Sequence, residues 1–142
     1  MGANAQPMPR ILRYSPGVTP RTPRAGAHPR AHSKDLVAAS ATPLVLSILE
    51  GGDSYGYGII QQIAEASDGR MQWAEGMLYP ILHRLEKQGL VKSYWGQAES
   101  GRKRKYYSLR RPGRVALNQQ RQSWSDVFAL LQSFKETPAC SS

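Results

Sequence analysis

The chain holds a single cysteine, Cys140, in its polar C-terminal end, so no internal disulfide can form and no cysteine-built metal site can be assembled. Histidine is nearly as sparse. His28 and His32 stand in an N-terminal stretch without ligand-like company, and His83 lies beside Arg84 on the outer side of a helix, so neither metal nor cofactor is expected. No apolar run reaches the length of a signal-peptide core or a membrane span. The arginine-rich, acid-poor start has the composition of an organelle transit peptide, but its prolines and glycines break the amphipathic helix such peptides form. A soluble cytoplasmic protein is the economical reading. Also missing are a Ser/His/Asp arrangement, paired carboxylates in a helix-facing register and a glycine-rich phosphate loop after a strand. The YGYG at 55–58 opens a helix without the lysine that a P-loop needs. The chain is therefore read as a non-enzyme.

Acidic residues are scarce where basic ones gather. The formal net charge is +9 and the pI about 10.1, which favours polyanionic partners. Residues 1–34 contain Arg10, Arg13, Arg21, Arg24, Arg30 and Lys34 and no acid, whereas residues 35–142 hold 13 cations against 10 acids. Two thirds of the excess sits in the tail, so the global pI overstates the charge of the folded part. That tail also carries six of the ten prolines, Pro7, Pro9, Pro16, Pro20, Pro23 and Pro29, and little apolar periodicity. It cannot bury enough surface to offset the entropy of ordering and reads as disordered. This composition fits a flexible basic arm making nonspecific phosphate contacts, an unstructured extension, or sequence upstream of the natural start.

At 142 residues there is room for one compact domain plus tails. Thr42 before Pro43 reads as an N-cap with proline at the first helical position, and LVLSIL fills a short helix that Gly51 and Gly52 stop. Asp53 or Ser54 caps a second helix whose Ile59, Ile60, Ile63 and Ala64 form one apolar stripe; Gly56 and Gly58 in its first turn imply close packing or close approach to another backbone. In a third helix Leu78, Ile81, Leu82 and Leu85 fall at i, i+3, i+4 and i+7, leaving Met77, His83, Arg84 and Lys87 outward. Pro80 must lie in its first turn, so the helix starts near Glu75 or Gly76 and stops at Gly89, a length of roughly 20 Å that suits a major groove.

Residues 90–95 and 105–109 are rich in aromatic and β-branched types at strand length, and residues 96–104 between them make a long hairpin tip ending in Arg102, Lys103, Arg104 and Lys105. A basic run is more often a solvated face, but here it follows a helix whose outer side is also basic. From Arg111 the chain turns helical again. Leu117, Trp124, Val127, Phe128, Leu131 and Phe134 form a stripe, widened by Leu130, along a helix of roughly 36 Å, longer than the small core can cover. Such a stripe calls for another surface, and a twofold dimer is the commonest solution.

The pieces LVLSILEGGDSYGYGII, EGMLYPILHRLEKQGLV and RKRKYYSL, in that order over roughly half the chain, resemble the PadR family of bacterial transcriptional regulators, in particular its smaller subfamily with one C-terminal helix. The resemblance implies a mainly α fold with a small β-hairpin: residues 35–110 as a winged helix-turn-helix DNA-binding domain and 111–135 as a dimerisation helix, with 1–34 and 136–142 as disordered ends. It further implies a homodimeric, sequence-specific repressor on a near-palindromic operator of double-stranded DNA. Tyr57, Met77, Tyr79, His83 and Arg84 would make the helix-turn-helix contacts, and Arg102, Lys103, Arg104 and Lys105 the wing contacts. Three positions depart from the family pattern: Met77 replaces a small hydroxyl residue, Gly58 an acidic one, and Arg110, Arg111, Pro112, Gly113 a hydroxyl N-cap followed by glycine. Two other readings stay open. In one, a flat hydrophobic small molecule sits between the C-terminal helices against Trp124 and Phe128; in the other, the winged helix docks an acidic protein instead of DNA.

Overall fold

The computed structural model describes residues 31–136, in the order α1 (Lys34–Glu50), β1 (Ser54–Tyr55), α2 (Gly56–Ala66), α3 (Glu75–Lys87), β2 (Val91–Gln97), β3 (Lys103–Leu109) and α4 (Arg111–Glu136). The tail reading for residues 1–30, together with His28 and Cys140, lies outside the described residues. The three strands form one antiparallel sheet in the order β1-β3-β2, and this mainly helical arrangement with a small sheet is a winged helix-turn-helix.

The first helix starts earlier than its Thr42-Pro43 signal suggests. Ser33 is the N-cap, accepting the Leu36 N–H at 3.1 Å, and Pro43 lies buried in the helix interior. An interior proline removes one rung of the ladder and crowds the carbonyl four residues back. That carbonyl belongs to Ala39, which lies on the exposed side, while the proline ring itself joins Ala41, Val45, Leu46, Ile48 and Leu49 in the buried face. Thr42 has a different partner: its hydroxyl accepts from Arg84 Nη2 at 2.6 Å.

Ser54 and Tyr55 are likewise not part of a capped helix start. They form the third strand, pairing Ser54 with Tyr107 and Tyr55 with Tyr106, so α2 begins at Gly56 with no side-chain cap. Two residues are too short for period-2 alternation to show in sequence. The hairpin is longer than expected: β2 and β3 pair from Val91↔Leu109 out to Gln97↔Lys103, leaving a short tip at 98–102.

One core holds the elements together. Leu78, Leu82 and Leu85 of α3 are buried with Ile59 and Ile63 of α2, Val45, Leu46, Ile48 and Leu49 of α1, and Val91 and Tyr107 of the sheet. Gly89, at φ +76°, closes α3 in the left-handed conformation and turns the chain straight into β2.

Leu117 completes this core. It is 0% exposed, so it leaves the apolar stripe assigned to a dimer surface and instead fastens the first turns of α4 to its own domain. Only the stripe beyond it remains open. Arg121 reinforces the attachment from the rim, its Nη2 lying 2.9 Å from Glu50 Oε1 and donating to Ser47 Oγ at 3.3 Å. Arg114 approaches the same carboxylate at 3.8 Å. At the start of α4, Gly113 is buried so tightly that a Cβ there would collide with the Leu90 carbonyl oxygen and lie 2.6 Å from Leu109 Cδ1. Gly113→Ala is therefore expected to destabilise the fold by about 1–3 kcal/mol through overpacking against backbone, read as a lower urea midpoint at unchanged m-value.

Candidate nucleic-acid interface

The hairpin and α3 are held in a fixed relation by one contact at the base of the wing. Ser93 on β2 donates its hydroxyl to Glu86 Oε2 on α3 at 2.7 Å. Strand alternation places Val91, Ser93, Trp95 and Gln97 on the same sheet face as Leu109, Tyr107, Lys105 and Lys103. Near the base this face is core, with Val91 and Tyr107 each 1% exposed. Burial and the nearby Glu86 carboxylate both push the Tyr107 hydroxyl above its ordinary pKa, so it stays neutral at any ordinary pH. Past Ser93 the same face contributes Trp95, Lys105 and Lys103 to the wall of an open concavity.

That concavity, about 480 Å³, is lined by Tyr55, Gly56, Tyr57, Tyr79, Trp95, Arg102, Lys103, Arg104 and Lys105. Six of the candidate contact residues thus meet in one place: Tyr57 and Tyr79 on the helical side, and the four wing cations opposite. Tyr79 is set by a close approach, since a Cβ on Gly56 would lie 2.7 Å from its Cζ. Glycine in the first turn of α2 is the residue that lets the hydroxyl end of this side chain approach the helix start. Because Tyr55 supplies no side-chain cap, the positive end of α2 adds to the cationic character of the wall.

The remaining candidates divide. His83 and Arg84 are exposed, but they line a separate shallow concavity of about 530 Å³ with Glu86 and Lys87. Arg84 is also tied to Thr42, which draws its guanidinium toward α1. Met77, placed outward by the helical spacing, is instead half-buried and packed against the core. It shares a flank with Ile81 four residues on, and its flexible thioether folds over the rim of the apolar stripe.

The opposite face of the wing carries an aromatic ladder that the sequence reading did not single out. Tyr94 stacks on Tyr106 at 5.7 Å between centroids, and Tyr55 meets Tyr106 edge-on at 5.6 Å. The Arg104 guanidinium lies 4.2 Å above the Tyr55 ring. Gly96, cross-strand from Arg104, leaves room for this stack, because a Cβ there would be 2.8 Å from Tyr106. At the base, Tyr94 donates its hydroxyl to Asp53 Oδ2 at 2.6 Å, tying the wing to the turn before β1. Trp95 was also missed as a site residue. The signal was available in the two-residue step from Val91 through Ser93, which aims an apolar ring beyond the end of the core.

Comparison with known proteins agrees with the winged-helix fold. The model of the "Transcriptional regulator PadR-like family" matches residues 45–119. An uncharacterized protein of Lysinibacillus sphaericus is 30% identical over 102 residues, covering 72% of this chain and 94% of its own. Among solved structures, a transcriptional regulator from Clostridium thermocellum is 33% identical with a TM-score of 0.67, over 73% of this chain and 98% of that one. A PadR family transcription regulator from Clostridium difficile R20291 is 36% identical with a TM-score of 0.60, over 67% and 97%.

The Asp53 hydrogen bond, followed by partial burial and the Asp53 charge, raises the Tyr94 pKa to about 12. A phenol whose folded pKa exceeds its unfolded value of about 10 stabilises the fold fully below pH 10 and loses that contribution as pH climbs toward 12. Asp53→Asn is expected to bring this titration back toward 10, which a spectrophotometric tyrosinate titration of variant against wild type would show.

Proposed function

Because the chain belongs to the PadR-like family of transcriptional regulators, we propose that it acts in the cytoplasm as a homodimeric repressor, occupying a near-palindromic operator in double-stranded DNA. The observation that carries the reading is the convergence of Tyr57, Tyr79 and the wing cations Arg102, Lys103, Arg104 and Lys105 on one concave wall. Cations on a hairpin beside a helix of groove-fitting length can neutralise phosphates of a duplex, and tyrosine hydroxyls can donate to phosphates that fix register. The first turns of α3 would lie in the major groove, with Tyr79 and His83 on its outer side. Among the described residues no helix is long and apolar enough to cross a membrane.

Dimerisation is supported by what α4 leaves uncovered. Beyond Leu117, the side chains of Val127, Phe128, Leu130, Leu131 and Phe134 are exposed, and Phe134 is 73% so. An apolar stripe of this extent on a helix projecting from its domain fits a self-complementary twofold interface. Trp124 lies on the same stripe at 36% exposure. Its ring beside Phe128 favours the second reading, a flat hydrophobic effector held between paired helices.

Selection of bound duplexes from a random pool at physiological salt is expected to return a near palindrome with half-sites about one helical turn, roughly 34 Å, apart. Leu131→Glu, which puts a charge in the stripe, should yield monomers by sedimentation that select a single half-site. A motif without twofold symmetry from the wild type would overturn the dimeric repressor. The wing is tested separately: replacing Arg102 and Lys103 by alanine removes two cations from each of the two protomers and should reduce the log-log salt slope of operator binding by up to about four. An unchanged slope would remove the wing from the interface.

A further inference from the structure

We propose that Trp95 is a specificity-determining residue of the wing: its indole enters the minor groove next to the half-site read by α3 and lodges against a base step as an apolar wedge. The inference rests on the operator-binding reading and adds a residue and a mode of readout to it.

The placement follows from strand alternation. Trp95 stands on the inner sheet face, two residues past the Ser93–Glu86 hydrogen bond that ties β2 to α3. It is 67% exposed and lies cross-strand from Lys105, in the same concavity as Tyr79, Arg102 and Lys103. Lys105 itself leans back along that face, its Nζ 5.8 Å from the Tyr107 ring centre, so the indole forms the outward part of the wall.

Its surroundings argue against a packing role. The outer-face aromatics Tyr55, Tyr94 and Tyr106 stack on one another, and Arg104 covers Tyr55. Among the described residues, no ring contact, cation–π contact or hydrogen bond engages the Trp95 side chain. A large ring left in water, bracketed by cations, is matched by a surface that is anionic at its edges and apolar in its depth. A duplex groove has this profile: phosphates along both rims and stacked bases between them. The wide major groove accommodates α3, and the neighbouring minor groove, about 6 Å across, admits a single side chain presented by a two-stranded ribbon. Apolar side chains used this way partly unstack a step and kink the duplex, so they favour sequences that deform at low cost, such as TA and CA steps, over stiff A-tracts.

The test uses the full chain and duplexes that share the selected half-sites but carry either a TA step or an A-tract under the wing. Fluorescence anisotropy titrations should show the wild type preferring the TA flank. Trp95→Ala should lose roughly tenfold in Kd on the TA flank, little on the A-tract, and keep the wild-type salt slope, because no phosphate contact is removed. Trp95→Phe should retain most of the preference, and an unchanged melting temperature would show that the alanine variant is folded. A wild-type flank preference persisting in Trp95→Ala overturns the inference, as does an equal loss on all duplexes with a shallower salt slope. Both outcomes leave operator binding intact. A wild type with no preference for any duplex sequence overturns the operator reading, and this inference falls with it.

Discussion

The functional geometry depends on how the inner face of the wing is clamped to α3. Val91 and Tyr107 are buried in the same cluster as Leu78, Leu82 and Leu85, and the Ser93 hydroxyl reaches the Glu86 carboxylate where that cluster ends. Packing alone would let a two-stranded ribbon slide or roll on the helix by small steps. A short charge-assisted hydrogen bond at the edge of the apolar contact penalises both motions, since either would leave a half-buried carboxylate without its donor. The consequence is directional. With the inner face held down at Ser93, every second residue beyond it must emerge on the α3 side, so Trp95, Lys105 and Lys103 and the outer flank of α3 are presented together.

How much of this could be read from sequence varies with the length scale of the signal. The third helix and the basic hairpin were legible because an i, i+3, i+4, i+7 stripe and a cation run are local and repeat within a few residues. The start of α1 was not, because Thr42-Pro43 carries a strong local cap signal that tertiary packing overrides: the proline ring is buried and the threonine hydroxyl serves Arg84 on another helix. β1 was invisible for a related reason, since Ser54 and Tyr55 become a strand only through their long-range pairing with β3. Leu117 shows the limit of periodicity itself. It continues the stripe of Trp124, Phe128 and Leu131 in sequence, yet it belongs to the domain core, because a helix can carry one apolar face past two different neighbours.

That handover along α4 links the candidate nucleic-acid interface to the proposed dimer surface. The first turns are anchored by Gly113 pressed on Leu90, by Arg114 near Glu50 and by Leu117 in the core, and the next turn by Arg121 on the same Glu50 carboxylate. These ion pairs are half-exposed, and each adds little to stability. Their geometric effect is larger. They brace α4 against α1 just before the helix leaves the domain, so a partner copy gripping the exposed stripe would be oriented relative to both winged helices. Small changes of angle at Glu50 would be multiplied along the helix into changes of half-site spacing.

The two faces of the wing divide the work of rigidity and contact. A free two-stranded ribbon is only marginally stable and would lose conformational freedom on binding. On the outer face, Tyr94, Tyr106 and Tyr55 stack across all three strands, Arg104 caps the ladder, Gly96 admits it, and Asp53 fastens its lower end. Arg104 and Tyr55 also reach the concavity, while the mutual contacts of the ladder are satisfied within the chain. The inner face can then leave Trp95 exposed without the hairpin collapsing over it. An exposed tryptophan and a row of cations persist on a stiff support because the ordering they require on binding has already been supplied by the aromatic stack behind them.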